Sequence, residues 1–199
     1  MKIILASQSA RRRDILENLG IKFDIKVSQV DESMSDTLTP GENVETVSMR
    51  KAAAVAEELG ITDSDDTLVI ASDTVVVCDN IILGKPRDKD HATEMIRMLS
   101  GRRHSVISGI AVIYRGKRVF SHEETEVEFR SLTDAEIEAY VSTDEPYDKA
   151  GGYGIQDKAA IFVSGIHGDY LNVVGLPVFK LFRILESEFG IGYFNVCCK

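Results

Sequence analysis

Cysteine is scarce in this chain, histidine is unpaired and long apolar runs are missing, and each shortage removes a class of protein. Three cysteines occur in 199 residues. Cys78 lies inside an apolar run, as a core residue would. Cys197 stands beside Cys198 at the C-terminus, with no second pair at zinc-ligand spacing. An odd count points to a reducing cytoplasm rather than a disulfide scaffold. The four histidines, His91, His104, His122 and His167, form no HxxxH or HxH pair, so a histidine metal centre is not expected. There is no Pro-rich linker, internal repeat or low-complexity tract. No apolar run approaches the roughly 20 residues a membrane helix needs. Met1-Lys2-Ile3-Ile4-Leu5-Ala6 reaches Ser7-Gln8-Ser9 too soon for a signal peptide and reads as a buried first strand.

Basic charge is also in deficit. The chain has 23 Lys and Arg against 32 Asp and Glu, a net charge of −9. Nucleic-acid binding usually needs the opposite balance, and the basic clusters Arg11–Arg13 and Arg102-Arg103 lack interleaved aromatics. A hydrophobic share of 44% and a charged share of 28% are ordinary for a globular protein. The length suits one large domain or two small lobes sharing a core, and residues 1–199 read as a single domain.

Periodicity and turn residues predict a mixed α/β chain. A strand over 2–6 leads into a helix from Arg11 to Leu19, stopped by Gly20, and a second strand covers Phe23 to Val27. Thr39-Pro40-Gly41-Glu42 is a capping box with proline at the first helical position, opening a helix that runs to about Leu59. Leu68 to Ala71 and Val75 to Cys78 read as strand, with Asp79-Asn80 turning into Ile81-Ile82-Leu83. After Asp88, Ala92, Met95, Ile96 and Leu99 form an amphipathic helical stripe closed by Ser100-Gly101. His104 to Tyr114 and Arg118 to Phe129 form a hairpin about Arg115-Gly116-Lys117. Thr133 to Glu136 caps a helix with Ile137, Tyr140 and Val141 inward. A Gly-rich polar stretch, Ser142 to Gln156, precedes strands near Ile161–Val163 and Tyr170–Val174 and a final helix from Pro177. Hairpins in mid-chain argue for a mixed, partly antiparallel sheet with flanking helices.

Four features carry chemistry. Ser7-Gln8-Ser9-Ala10-Arg11-Arg12-Arg13 puts three arginines at the positive end of a helix dipole, where each cation costs about 0.3–1 kcal/mol. A docked anion explains that placement, since helix N–H groups, serine hydroxyls and guanidinium forks all suit phosphate oxygens; a solvated basic turn is the plainer alternative. Asp73 interrupts an otherwise apolar stretch, which demands a partner or a metal unless a bulge turns it outward. Lys51 falls on the stripe of Val44, Val47, Val55 and Leu59, either functional or snorkelling past its neighbours. Gly84-Lys85-Pro86-Arg87 presents two cations on a rigid turn, and Asp31-Glu32 adds a pair of acids in a loop. Acids, cations and hydroxyls at strand ends suggest metal-bound phosphate chemistry.

These segments, read in order, resemble the Maf family of nucleoside triphosphate pyrophosphatases, also called septum-formation inhibitors. The match runs through Leu5-Ala6-Ser7-Gln8-Ser9-Ala10-Arg11-Arg12, Asp31-Glu32, Arg50-Lys51-Ala52 and Ala71-Ser72-Asp73-Thr74-Val75-Val76. It continues through Gly84-Lys85-Pro86-Arg87-Asp88, Leu99-Ser100-Gly101-Arg102, Asp144-Glu145-Pro146-Tyr147-Asp148-Lys149-Ala150-Gly151, Tyr153-Gly154-Ile155-Gln156 and Val174-Gly175-Leu176-Pro177. The resemblance implies triphosphate binding by Ser7, Arg11 and Arg12, with Asp73 as proton acceptor and Glu32, Lys51 and Lys85 acting at phosphate and metal. It implies Mg²⁺ or Mn²⁺ held by Glu32 and Asp73, two α/β lobes about a central cleft, and often a homodimer. Arg12, Thr74 and Gln156 match the branch acting on dTTP and UTP, with modified pyrimidine nucleotides within its reach. Ala10 stands where the family usually has proline, and Gly152 and Asp157-Lys158 differ from its commoner versions. A non-catalytic, nucleotide-binding regulator of cell division is the alternative.

Overall fold

The computed structural model describes residues 1–197, so Cys198 of the terminal cysteine pair lies outside the described residues. In chain order the elements are β1 (Lys2–Leu5), α1 (Ala10–Asn18), β2 (Asp24–Ile25), α2 (Pro40–Glu58), β3 (Thr67–Cys78), β4 (Ile81–Leu83) and α3 (Lys89–Leu99). They continue with β5 (Arg103–Tyr114), β6 (Lys117–Phe129), α4 (Asp134–Val141), β7 (Val163–His167), α5 (Tyr170–Val174), α6 (Val178–Phe189) and α7 (Tyr193–Cys197). The seven strands form one mixed sheet in the order β2-β1-β3-β5-β6-β7, with β4 paired to β3. β1 runs parallel to both β2 and β3, whereas the β3–β4 and β6–β7 pairs are antiparallel. The chain divides into two compact units, one of residues 1–73, 108–123 and 175 onward, the other of residues 74–107 and 124–174.

In the first unit, β1 and β3 are paired from Lys2↔Thr67 to Leu5↔Ile70. Apolar side chains of these strands, and of Ala6 just past β1, meet α2: Ile4, Ala6, Val69 and Ala71 pack with Ala52, Val55 and Ala56 of the helix and with Ala111 and Ile113 of β5. α2 starts where its capping box predicts, Thr39 accepting from the Glu42 amide while the Glu42 carboxylate accepts from the Thr39 amide at 2.8 Å. Gly60 follows its C-terminus at φ 61°, a left-handed turn that glycine adopts without strain. The helix approaches β5 so closely that a Cβ on Gly109 would lie 2.3 Å from the Val44 carbonyl oxygen. Leu59, expected on the buried stripe, is instead exposed beyond the last helical turn.

The second unit holds the amphipathic α3, whose Ala92, Met95, Ile96 and Leu99 are all buried as the stripe predicts and which packs on α4. Ile137, Tyr140 and Val141 of α4 are buried too. The Ser142 to Gln156 stretch folds into short 3-10 turns, among them Glu145–Asp148 and Ala150–Gly152.

Three expectations need correction. The two strand segments flanking Asp73 are one continuous strand, β3, so Asp73 sits at mid-strand and not at a strand end. Residues 170–174 are helical, not extended, although their β-branched composition favours strand. There the Asp169 side chain accepts from the Leu171 amide at 2.8 Å, and the Asn172 amide group reaches the Val106 carbonyl at 2.9 Å. The local bond of Asp169 and the tertiary bond of Asn172 together outweigh the β propensity of the segment. The strand expected at Ile161–Val163 begins only at Val163, a 3-10 turn occupying Lys158–Phe162. After α6, whose first residue follows Pro177, the additional short helix α7 was not signalled.

Candidate active site

In the first unit the chain leaves β1 at Leu5 and turns through Ser7 and Ser9 into α1. Ser9 is the N-cap, its hydroxyl accepting from the Arg12 amide, while Ser7 Oγ accepts from the Ser9 amide at 3.2 Å. The three arginines then part company. Arg13 lies beside Asp14 and Glu17 at 3.6 and 3.9 Å on the solvent side, and Arg11 is half-buried. Arg12 is buried, donating from Nε to the Gly175 carbonyl at 2.7 Å and from Nη1 to Ser7 Oγ at 3.2 Å. Burial pulls its guanidinium below the usual arginine value; the Asp73 carboxylate opposes that shift, Arg11 adds to it and Glu32 opposes it.

Arg12 thus lies within the electrostatic reach of the second cluster. Lys51, one turn beyond Val47 on α2, places its Nζ 2.7 Å from Asp73 Oδ1 and 3.1 Å from Glu32 Oε1. The Asp73 side chain is 12% exposed and that of Lys51 14%, so each offsets the cost of burying the other's charge. Glu32 is delivered by a loop that ties itself down: Asp31 accepts from Ser33, and Arg50 Nη1 donates to the Asp31 and Ser33 carbonyls at 3.2 and 3.1 Å. The Ser33 hydroxyl bond, then the Ser33 amide bond, hold Asp31 below the usual carboxylate range. Ser7, Arg11, Arg12, Glu32, Lys51 and Asp73 therefore belong to one assembly within one unit.

The residues expected from the rest of the chain lie in the second unit. Thr74, next to Asp73 in β3, is half-buried, and Lys85 and Gln156 are exposed. The loop of Lys85 is joined to the Gly-rich stretch by the Gly151 amide, which donates to the Gly84 carbonyl at 3.0 Å. Gly151 has φ 68° and room for no Cβ, since one would lie 2.8 Å from a Val76 methyl. Arg87 of the same turn donates from Nε to His91 Nδ1 at 3.3 Å.

Among the described residues no cluster of three or more His, Cys, Asp or Glu side chains could hold an ion alone. Glu32 and Asp73 supply two carboxylates converging on one ammonium. That donor set fits Mg²⁺ or Mn²⁺, which take one or two protein carboxylates and fill their shell with water and phosphate oxygens.

Sequence reasoning gave no role to Gly175, whose carbonyl receives both Arg12 Nε and, at 3.0 Å, the buried Ser72 hydroxyl. Its signal was a glycine between apolar neighbours, here at φ 120°. Nor did it give a role to Lys149, a buried cation inside the Gly-rich stretch that entered only as part of a matching segment.

The family model described as Maf-like protein matches residues 2–188. A dTTP/UTP pyrophosphatase from Bacillus anthracis is 48% identical over 186 residues, covering 94% of this chain and 95% of that protein. A dTTP/UTP pyrophosphatase from Bacillus cereus is 46% identical over the same shares. Among solved structures, the Staphylococcus aureus Ham1 protein aligns with 65% of this chain and 72% of its own at 14% identity and a TM-score of 0.46. With the match extending from the first strand to the last turn of α6, this chain belongs to the Maf family.

Proposed function

We propose that this protein hydrolyses dTTP and UTP at the α-phosphorus, releasing the nucleoside monophosphate and pyrophosphate, with a divalent ion at Glu32 and Asp73. The class of reaction comes with the family, and relatives 46–48% identical over 94% of the chain bear that activity in their names. The observation that carries the mechanism is the gathering of Asp73 and Glu32 on the Lys51 ammonium, within electrostatic reach of buried Arg12.

Asp73 accepts a proton from the water that attacks the α-phosphorus. One P–O bond forms, the bond to the bridging oxygen breaks, and the electron pair leaves with pyrophosphate. Ser7, Arg11, Arg12 and the amide end of α1 hold the triphosphate, and Lys51 and Lys85 share in neutralising its charge. Such catalysis is chiefly positioning and charge stabilisation. Mg²⁺ or Mn²⁺, when bound, would supply Lewis acidity at the phosphate oxygens. Thr74 and Gln156 are assigned to the base on the strength of the family pattern. The Gln156 amide offers one donor group and one acceptor, as a uracil or thymine edge requires, and modified pyrimidines keeping that edge fall within the same reading. In this reading residues 1–199 act as one functional domain, a homodimer accords with the family resemblance, and the cytoplasm is the compartment.

The test is product analysis on dTTP, UTP, CTP and 7-methyl-GTP with Mg²⁺ or Mn²⁺, with and without EDTA. Monophosphate and pyrophosphate from dTTP and UTP, abolished by EDTA, are expected. Metal-dependent turnover of other bases alone would remove Gln156 from its role, and no turnover by folded protein would favour a binding-only regulator.

A further inference from the structure

Lys149 is a lysine that water barely reaches, 8% exposed. A buried ammonium costs several kcal/mol unless every donor is met. Here Nζ lies 2.8 Å from the Glu145 carbonyl, 2.7 Å from Asp148 Oδ1 and 3.6 Å from Asp157 Oδ2. Its hydrocarbon stem is equally committed. A Cβ on Gly154 would lie 2.7 Å from Lys149 Cε and 2.9 Å from Cδ. Asp157 Oδ2 would lie equally near, at 2.7 Å, and Gly154 has no positive φ, so a side chain there would press on the Lys149 stem and the Asp157 carboxylate without straining the backbone.

Gly154 and Asp157 are the two ends of one turn, closed by the Asp157 amide donating to the Gly154 carbonyl at 3.2 Å. Lys149 therefore touches both ends: its methylenes underlie the first residue and its ammonium faces the carboxylate of the last. Of the two central residues, Ile155 is buried and Gln156 is exposed. The chain on either side is also pinned. Tyr140 Oη donates to the Gly152 carbonyl at 3.1 Å, and the Glu145 carboxylate accepts from the Lys158 and Ala159 amides at 3.2 and 3.3 Å.

We propose that Lys149 is a positioning residue for base recognition, clamping the turn Gly154–Asp157 so that the Gln156 amide is presented in one orientation. This rests on the reading of Gln156 as the base contact. A clamped amide discriminates pyrimidine edges because donor and acceptor are fixed in place; a mobile one can rotate to suit a wrong base. The substrate class that gains from the clamp is the pyrimidine triphosphate with an acceptor at O4 beside a donor at N3–H, as in thymine and uracil, over cytosine, in which the two are reversed.

The experiment is steady-state kinetics on dTTP, UTP and CTP with Lys149→Met, Gln156→Ala and the double variant, each checked by thermal melting. Lys149→Met should raise KM for dTTP about tenfold with kcat within about threefold, and narrow the preference for dTTP over CTP. On the Gln156→Ala background the same substitution should add less than about twofold, because the group it positions is gone. Equal effects on both backgrounds would overturn the proposal, showing that Lys149 acts elsewhere. Gln156→Ala with an unchanged base preference would instead sink the reading of Gln156, and the clamp with it. Should Lys149→Met fail to fold, Asp157→Asn weakens the clamp at its far end and carries the same test.

Discussion

One ammonium, that of Lys51, holds two carboxylates, and the chemistry proposed for the site turns on what happens when one of them is altered. Asp73→Asn keeps the side-chain volume and leaves Lys51 its bond to Glu32, so the melting temperature should change little. Turnover of dTTP should nevertheless fall by about 10²–10⁴-fold, the usual contribution of a general base; a folded Asp73→Asn enzyme with near-normal kcat would exclude Asp73 from that role. Lys51→Met makes the opposite disturbance. It leaves Asp73 largely buried without its cation, and urea unfolding should show a loss of a few kcal/mol together with lost activity. Both residues were legible in sequence for a physical reason, a charge standing where an apolar pattern demanded none. The Gly175 carbonyl was not. A backbone acceptor for Arg12 from 163 residues further along the chain leaves no periodic or compositional trace.

Among the elements, capping boxes and amphipathic stripes were read almost to the residue, because the forces that define them act within one helical turn. α2 and α4 both begin on the predicted threonine with both halves of the box present. Elements decided by partners were read less well. α5 looks like a strand in isolation and becomes a helix through the bonds of Asp169 and Asn172, and β3 absorbs Asp73 in mid-strand because Lys51 of α2 is there to meet it. The approach of α2 to β5 gives a test at this scale. Gly109→Ala would set a Cβ 2.3 Å from the Val44 carbonyl oxygen and 2.8 Å from the Glu45 amide nitrogen. Backbone atoms cannot swing aside as a side-chain tip can, so a loss of about 1–3 kcal/mol is expected in denaturant unfolding. An unchanged midpoint would mean that the helix shifts freely on the sheet.

For the whole molecule, acid stability should be set first by a residue outside the cluster of Glu32, Lys51 and Asp73. His104 is buried against Phe129 and Tyr153, its Nε2 2.7 Å from the Tyr153 hydroxyl. Burial lowers it from 6.5 to about 4. Above about pH 6.5 the ring is neutral whether the chain is folded or not. As pH falls from there toward 4, the unfolded chain takes up a proton that the folded one refuses, so stability drops, by roughly 3 kcal/mol in all, and then levels off. Glu136 acts in a lower window. The Arg130 hydrogen bond first, then those from Thr133, hold it at about 2, so its contribution persists at neutral pH and is lost only as pH falls from about 4.5 toward 2. Urea titrations at pH 7.5 and 4.5 should show the first loss in the natural protein and little of it in His104→Gln; an equal loss in both would assign it to other groups. The division into two compact units has a consequence for how the molecule comes into being on the ribosome. One unit ends at residue 174, whereas the other, though it opens the chain, needs residues 175 onward. Arg12 thus emerges 163 residues before the carbonyl that anchors it. Until the C-terminal segment emerges, Arg12 has no Gly175 to bind. A nascent chain can therefore complete the unit bearing Gln156 before the one bearing Asp73.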